Sequence, residues 1–233
     1  MCIRDRGKTS MKDKLEVSPT KTISMFVVGL IIFIITATNV IYHTTLVQKL
    51  DLNSLHALTN YFGKPRRHYN GPIWHKMMTF CANFGEVKSI LYITLFLALI
   101  LIFKNYKLSL WLLVTIYTGT YINFLIKQII ARPRPYNHLL VDHGYSFPSG
   151  HSNASTLFAL AILLVVIPLI KNKAIRYSIA IVVVIFWIGV LSCRLYFHAH
   201  YLTDVIGGFS LGMIWIALFS MTLPLFNIKL KKK

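Results

Sequence analysis

The stretch RLYFHAHYLTDVIGGFSLGMIWIALF, residues 194–219, sets an arginine, two histidines and a carboxylate just ahead of an apolar run in which no further charge appears until Lys229. A bilayer core about 30 Å thick needs about 20 apolar residues as helix. Residues 201–226 therefore read as a membrane span with Asp204 near its polar entrance. A carboxylate there costs several kcal/mol unless it is paired. His200 stands four residues before it, on the same helix face. A carboxylate on one ring nitrogen fixes the tautomer and leaves the other nitrogen as a directed nucleophile or base. For Asp204 by itself, a helix-capping role is the plain alternative.

Five more apolar stretches approach the same length, at residues 22–42, 79–103, 108–126, 152–170 and 175–193. The chain has 233 residues, 55% hydrophobic and 14% charged, with a mean hydropathy of +0.60. That is too apolar for an ordinary soluble domain of this length. The expected fold class is all-α, a polytopic membrane protein with six transmembrane helices in one bundle. Residues 22–228 make that domain, between basic cytoplasmic tails at 1–21 and 229–233. The first run is longer than a signal peptide's apolar core and lacks a small-residue cleavage site, so it is read as a retained helix. MCIRDRG is out of character with the rest of the chain and Met11 fits a start, so residues 1–10 are set aside as an artefact.

Glu86 and Lys88 interrupt the second run, whose start has an interfacial turn as its alternative reading, and they are read as a solvated helix end rather than a functional ion pair. The segment 43–75 mixes aromatics with GKPRR and NGP and is expected at the interface, with one short helix around 54–61. Gly208 and Gly212 form a GxxxG spacing that lets helices approach closely. Cys2, Cys81 and Cys193 have neither metal-ligand spacing nor the regularity of a disulfide framework.

The net charge of +18 gathers at turns and tails rather than on one face. With the N-terminus inside, the cytoplasmic side holds the larger share of the 25 Lys and Arg: the N-terminal tail, Lys104 and Lys107, Lys171 to Arg176, and the terminal lysines. The basic tails suit anionic membrane lipids; nothing resembles a nucleic-acid-reading domain. Lys127 then ends span three, His151 opens span four, Arg194 ends span five and His200 opens span six, all at the non-cytoplasmic face.

Ser149 and Gly150 are expected to offer backbone N–H groups at a helix N-terminus, where the dipole and unpaired donors favour an anion. His151 would stand beside that anion. Lys127, Arg134 and Arg194 supply fixed positive charge, and the arginines can grip phosphate oxygens bidentately. Each cation alone could equally be snorkelling to the interface. Arg132, His138, His143 and His198 are read as loop residues that tune headgroup contact, since their spacing fits no usual zinc ligand set.

These fragments resemble the three signature motifs of the type 2 phosphatidic acid phosphatase superfamily. The first, KxxxxxxRP, matches Lys127 to Pro135; PSGH matches Pro148 to His151; the third, SRxxxxxHxxxD, matches Arg194, His200 and Asp204. Cys193 stands where that third motif usually has serine, and Ser192 is displaced by one. The resemblance implies a six-helix membrane phosphatase that needs no metal and no cofactor, acting on a lipid phosphate or lipid pyrophosphate. It implies His200 as nucleophile forming a phosphohistidine, with Asp204 stabilising its imidazolium. His151 would be acid and then base, and Lys127, Arg134, Ser149, Gly150 and Arg194 would bind phosphate. Undecaprenyl pyrophosphate, phosphatidylglycerophosphate and phosphatidic acid all remain open as substrates. So do phosphotransfer to an alcohol and non-catalytic transport or binding of anionic headgroups.

Overall fold

The structure, a computed structural model, describes residues 17–226, which form helices and turns with no strand among them. Of the expected basic tails at 1–21 and 229–233, residues 1–16 and 229–233 lie outside the described residues, while residues 19–21 already belong to the first helix. Helix α1 spans Pro19–Ile41, opening on a proline whose missing N–H costs nothing in a first turn. Two helices follow, α2 (Thr45–Phe62) and α3 (Ile73–Phe84), in place of the one short helix expected. Helix α2 is held by a buried stripe of Val47, Asp51 and Leu55, one helical turn apart each. It stops at Gly63, whose φ of 79° only glycine adopts freely.

The expected second span is divided. Its start belongs to α3, which ends at Gly85, and α4 begins afresh at Val87. A Cβ at Gly85 would lie 2.6 Å from Val190 Cγ2, so this turn packs directly on the neighbouring helix. Glu86 is the residue before α4 and pairs with Arg67 at 2.8 Å. The end is solvated as expected, with the Glu86 side chain 43% exposed, and the 63–72 turn brings a guanidinium to it.

Helix α4, Val87–Ile130, has 44 residues. Straight, it would be about 66 Å long, twice the bilayer core. It is instead broken at Asn105 (φ −158°, ψ 93°). Ser109 Oγ donates to the Ala98 carbonyl at 2.7 Å and Tyr117 OH to the Leu91 carbonyl at 3.2 Å, so the halves fold back antiparallel. Asn105 Oδ1 accepts from Leu108 N at 3.1 Å and starts the second half. Among the described residues five helices are long and apolar enough to cross a membrane; with one of them a hairpin, they make six crossings.

Helix α5 (Gly150–Ala161) continues through a π turn, Ile162–Val166, and a 3-10 turn, Ile167–Leu169. Helix α6 spans Lys173–Tyr196, and α7 spans Leu202–Thr222 with a last turn at Leu223–Phe226. In α5 and α7, 61% and 56% of the apolar window is buried, against 17% in α1, α4 and α6. The outer helices turn side chains such as Ile31, Phe103 and Val182 outward, as lipid-facing surfaces do. The inner pair is closely packed because its contact residues are small. A Cβ at Gly212 would lie 2.8 Å from Thr156 Cβ, and one at Gly208 would collide with the Ser149 carbonyl. Three indoles tie helices together, donating to Phe219 O from Trp111, Thr156 Oγ1 from Trp187 and Thr118 Oγ1 from Trp215.

Candidate active site

Lys127 lies in the last turn of α4, His151 in the first turn of α5, Arg194 in the last turn of α6, and His200 in the tight link before α7. The antiparallel order of the crossings therefore gathers them at one end of the bundle. The α6–α7 link is closed by a single acceptor: the Arg194 carbonyl receives the amides of Ala199 (3.0 Å) and His200 (3.3 Å). His198 takes a left-handed conformation (φ 54°) in that turn. The result folds His200 back over Arg194.

His200 is buried, with Nδ1 3.5 Å from Asp204 Oδ2 and Nε2 3.2 Å from Arg134 Nη1. Burial first, then the charges of Lys127, Arg134 and Arg194, hold its imidazole well below the usual histidine range. The ring is thus neutral at ordinary pH, with the lone pair on the nitrogen that faces the cations. Arg134 is itself held by carbonyls, donating to Gly144 O (3.0 Å), His143 O (2.8 Å) and Ala199 O (2.6 Å). Lys127 Nζ donates to the Tyr145 carbonyl at 3.0 Å. Arg194 pairs through Nη2 with Asp142 at 2.7 Å, while its Nε and the Nε2 of His151 are buried without a protein partner.

Asp204 is enclosed by donors: Ser146 Oγ, the Tyr201 amide (2.8 Å) and Arg132 Nη1 (2.6 Å). This assigns Arg132 a different place from the one expected. It is not a headgroup-facing loop residue but the bridge between Asp204 and Asp51 of α2, whose Oδ2 it meets at 2.6 Å. His198 is likewise no headgroup contact, being buried with Nε2 3.5 Å from Thr59 Oγ1. His138 turns to the Pro135 carbonyl, and among the described residues no three metal-ligating side chains cluster. The Ser149 amide is also spent, donating to the Asp204 carbonyl at 3.0 Å, and its Oγ caps α5. The amides of Gly150 and His151, which have no intrahelical acceptor, remain for an anion. Cys193 is buried in a cluster with Cys81, Ala82, Val190 and Phe197, its thiol donating to Val190 O at 3.1 Å.

Each of the four carboxylates among the described residues, Asp51, Glu86, Asp142 and Asp204, has an arginine partner. Residue spacing showed only the His200–Asp204 pair. The signal that could have exposed Asp51 is its place in the Val47–Leu55 stripe, where a lone acid on an apolar face demands a buried partner.

The family model of the PAP2 superfamily matches residues 108–227. The chain belongs to the PAP2 superfamily. Its resemblance extends to phosphatidylglycerophosphatase B of Bacillus subtilis (strain 168), with 37% identity over 102 residues, 42% of this chain. That alignment spans about half (49%) of the relative's length. Over a longer range, 85% of this chain superposes on 94% of a crystal structure of a transmembrane PAP2-type phosphatidylglycerolphosphate phosphatase from Bacillus subtilis, with a TM-score of 0.65 and 26% identity. This PAP2 chain is a multi-pass membrane protein. Lys127, Arg134, His151, Arg194, His200 and Asp204 all fall inside the matched region; Asp51 and Arg67 precede it.

Proposed function

We propose that the protein is an integral membrane lipid phosphatase working through a phosphohistidine, with phosphatidylglycerophosphate the first substrate to test because both relatives are named for it. The observation that carries this reading is the placement of His200, with one nitrogen toward Asp204 and the other toward a cluster of cations. Nε2 attacks phosphorus in line with the leaving oxygen. For this, Arg134 moves its Nη1 hydrogen bond from Nε2 to a phosphate oxygen, freeing the lone pair. Nδ1–H then shares its growing positive charge with Asp204. His151, protonated as the phosphate dianion seats beside it, gives that proton to the departing alkoxide as the P–O bond breaks. It next takes a proton from water, whose oxygen displaces His200 and restores the resting enzyme. Lys127, Arg134, Arg194 and the Gly150 and His151 amides offset charge on the three remaining oxygens.

The excess of Lys and Arg on the opposite side supports a non-cytoplasmic active site. Membrane burial favours a lipid over a soluble ester. The test is phosphate release by purified, detergent-solubilised protein in EDTA, against phosphatidylglycerophosphate, phosphatidic acid and undecaprenyl pyrophosphate. His200→Ala should abolish release from all three, and an acid-labile, base-stable phosphoenzyme should form in the unsubstituted protein. Turnover retained in His200→Ala refutes the nucleophile. Formation of a new phospholipid with added alcohol marks a transferase, and headgroup binding with neither product marks a binder.

A further inference from the structure

Among the described residues Asp204 is the only carboxylate placed against His200, yet Arg132 grips its Oδ1 at 2.6 Å with both groups almost wholly buried. An arginine in full possession of that carboxylate would cancel the charge His200 needs. Asp51 prevents this. It lies in the middle of α2, 1% exposed, and takes the other arm of the same guanidinium at 2.6 Å. Both its oxygens are oriented by α7: Oδ1 accepts from Thr203 N at 3.0 Å and Oδ2 from Thr203 Oγ1 at 2.8 Å. Thr203 Oγ1 also lies 2.8 Å from Arg132 Nη1, and the guanidinium lies 4.2 Å above the Tyr201 ring. Two carboxylates thus share one arginine, and the trio keeps one net negative charge.

We propose that Asp51 is a positioning residue that balances Arg132, so that Asp204 keeps its negative charge for His200. The inference rests on the phosphohistidine reading above. Around His200 the other charges are cationic: Lys127 from α4, Arg134 from the 131–149 segment and Arg194 from α6, with His151 of α5 adding a titratable ring. Asp142 is taken up by Arg194 and Glu86 by Arg67. With Arg194 paired to Asp142, the trio's single negative charge is the counterweight to Lys127 and Arg134, and half of the trio's anionic charge comes from a helix ahead of the family-matched region. A small cavity of about 220 Å³, lined by His43, Gln48, Asp51, Leu52, Arg132, Pro133 and Tyr201, leads in from the surface beside the pair.

The test is a charge cycle read by pH profile. Asp51→Asn brings the trio to neutral. Its kcat should fall about tenfold, the scale seen when an outer-shell partner is lost, with KM little changed. The acid limb of kcat/KM should move to lower pH by about half a unit, because the imidazolium loses a counter-charge. The double variant Asp51→Asn, Arg132→Gln returns the trio to one negative charge on Asp204 and should bring the limb back. A merely structural Asp51 gives lower activity with an unmoved limb, and a double variant worse than the single; either result overturns the proposal. The same cycle is read without turnover by following the His200 ring by NMR in histidine-labelled protein, where Asp51→Asn should lower its titration midpoint and the double variant restore it. If the unsubstituted protein releases no phosphate, the phosphatase reading fails, and that titration still decides the role of Asp51.

Discussion

Gly208→Ala should cost this protein its turnover well before its fold. Gly208 sits where α7 crosses the N-terminus of α5. An added Cβ would collide with the Ser149 carbonyl and lie 3.0 Å from Ser152 Cβ and 3.2 Å from Asn153 N. Ordinary contacts are about 3.5–4.0 Å, so the helices must part by about 1 Å. The obstacle is backbone and cannot rotate away. Overpacking of this kind costs about 1–3 kcal/mol, tolerable for a bundle with further contacts along α5 and α7. The catalytic penalty is larger, because the Ser149 amide donates to the Asp204 carbonyl at this crossing. Parting it separates His151 from His200, and about 1 Å of misplacement costs roughly 100-fold in rate. The assay pairs lipid-phosphate turnover with thermal unfolding in detergent, using Gly29→Ala as comparison. Its Cβ would lie 3.2 Å from Met213 Cβ and Ser210 O, in the α1–α7 contact, and should lower stability while leaving turnover within about threefold. Folded Gly208→Ala with a kcat near that of the unsubstituted protein would refute the argument that this crossing aligns the two histidines.

Three further outcomes are expected of the site. Because burial and three cations hold His200 below its usual value of about 6.5, kcat/KM should persist as pH falls through 6.5 and drop only below it; a limb at or above 6.5 contradicts the neutral-imidazole assignment. Arg194→Ala strands Asp142 in a buried position and should cost about 3–5 kcal/mol in unfolding experiments. Adding Asp142→Asn should return part of that stability and none of the turnover, whereas recovery of activity would remove Arg194 from the phosphate site. Cys193→Ser keeps a donor for the Val190 carbonyl in the same packed cluster, so turnover should change by less than about threefold; a large gain would show that a serine here reaches the phosphate.

The polar clusters at span ends are legible because a membrane makes charge expensive. Lys127, His151, Arg194 and His200 stand out against apolar runs, and alternation of the crossings places them at one end without any contact information. The GxxxG spacing of Gly208 and Gly212 likewise announces a close helix approach, and the structure supplies its partner, α5. Arg132 is illegible in this way because nothing in its neighbours along the chain distinguishes an arginine that grips phosphate from one that grips carboxylates. That difference depends on Asp51, 81 residues away along the chain. The division between α3 and α4 shows in the sequence only as the interruption of an apolar run by Glu86 and Lys88, and the approach of Val190 to Gly85 shows why the chain turns there.

By itself, then, the sequence determined the membrane, the crossings and the pairing of His200 with Asp204, since hydropathy and spacing along a helix are local properties. Only the tertiary structure decided which charges cancel. A carboxylate's partner is set by proximity in space and by the lack of water to take its place, and both arise when α2, the 131–149 segment and α7 close around Arg132.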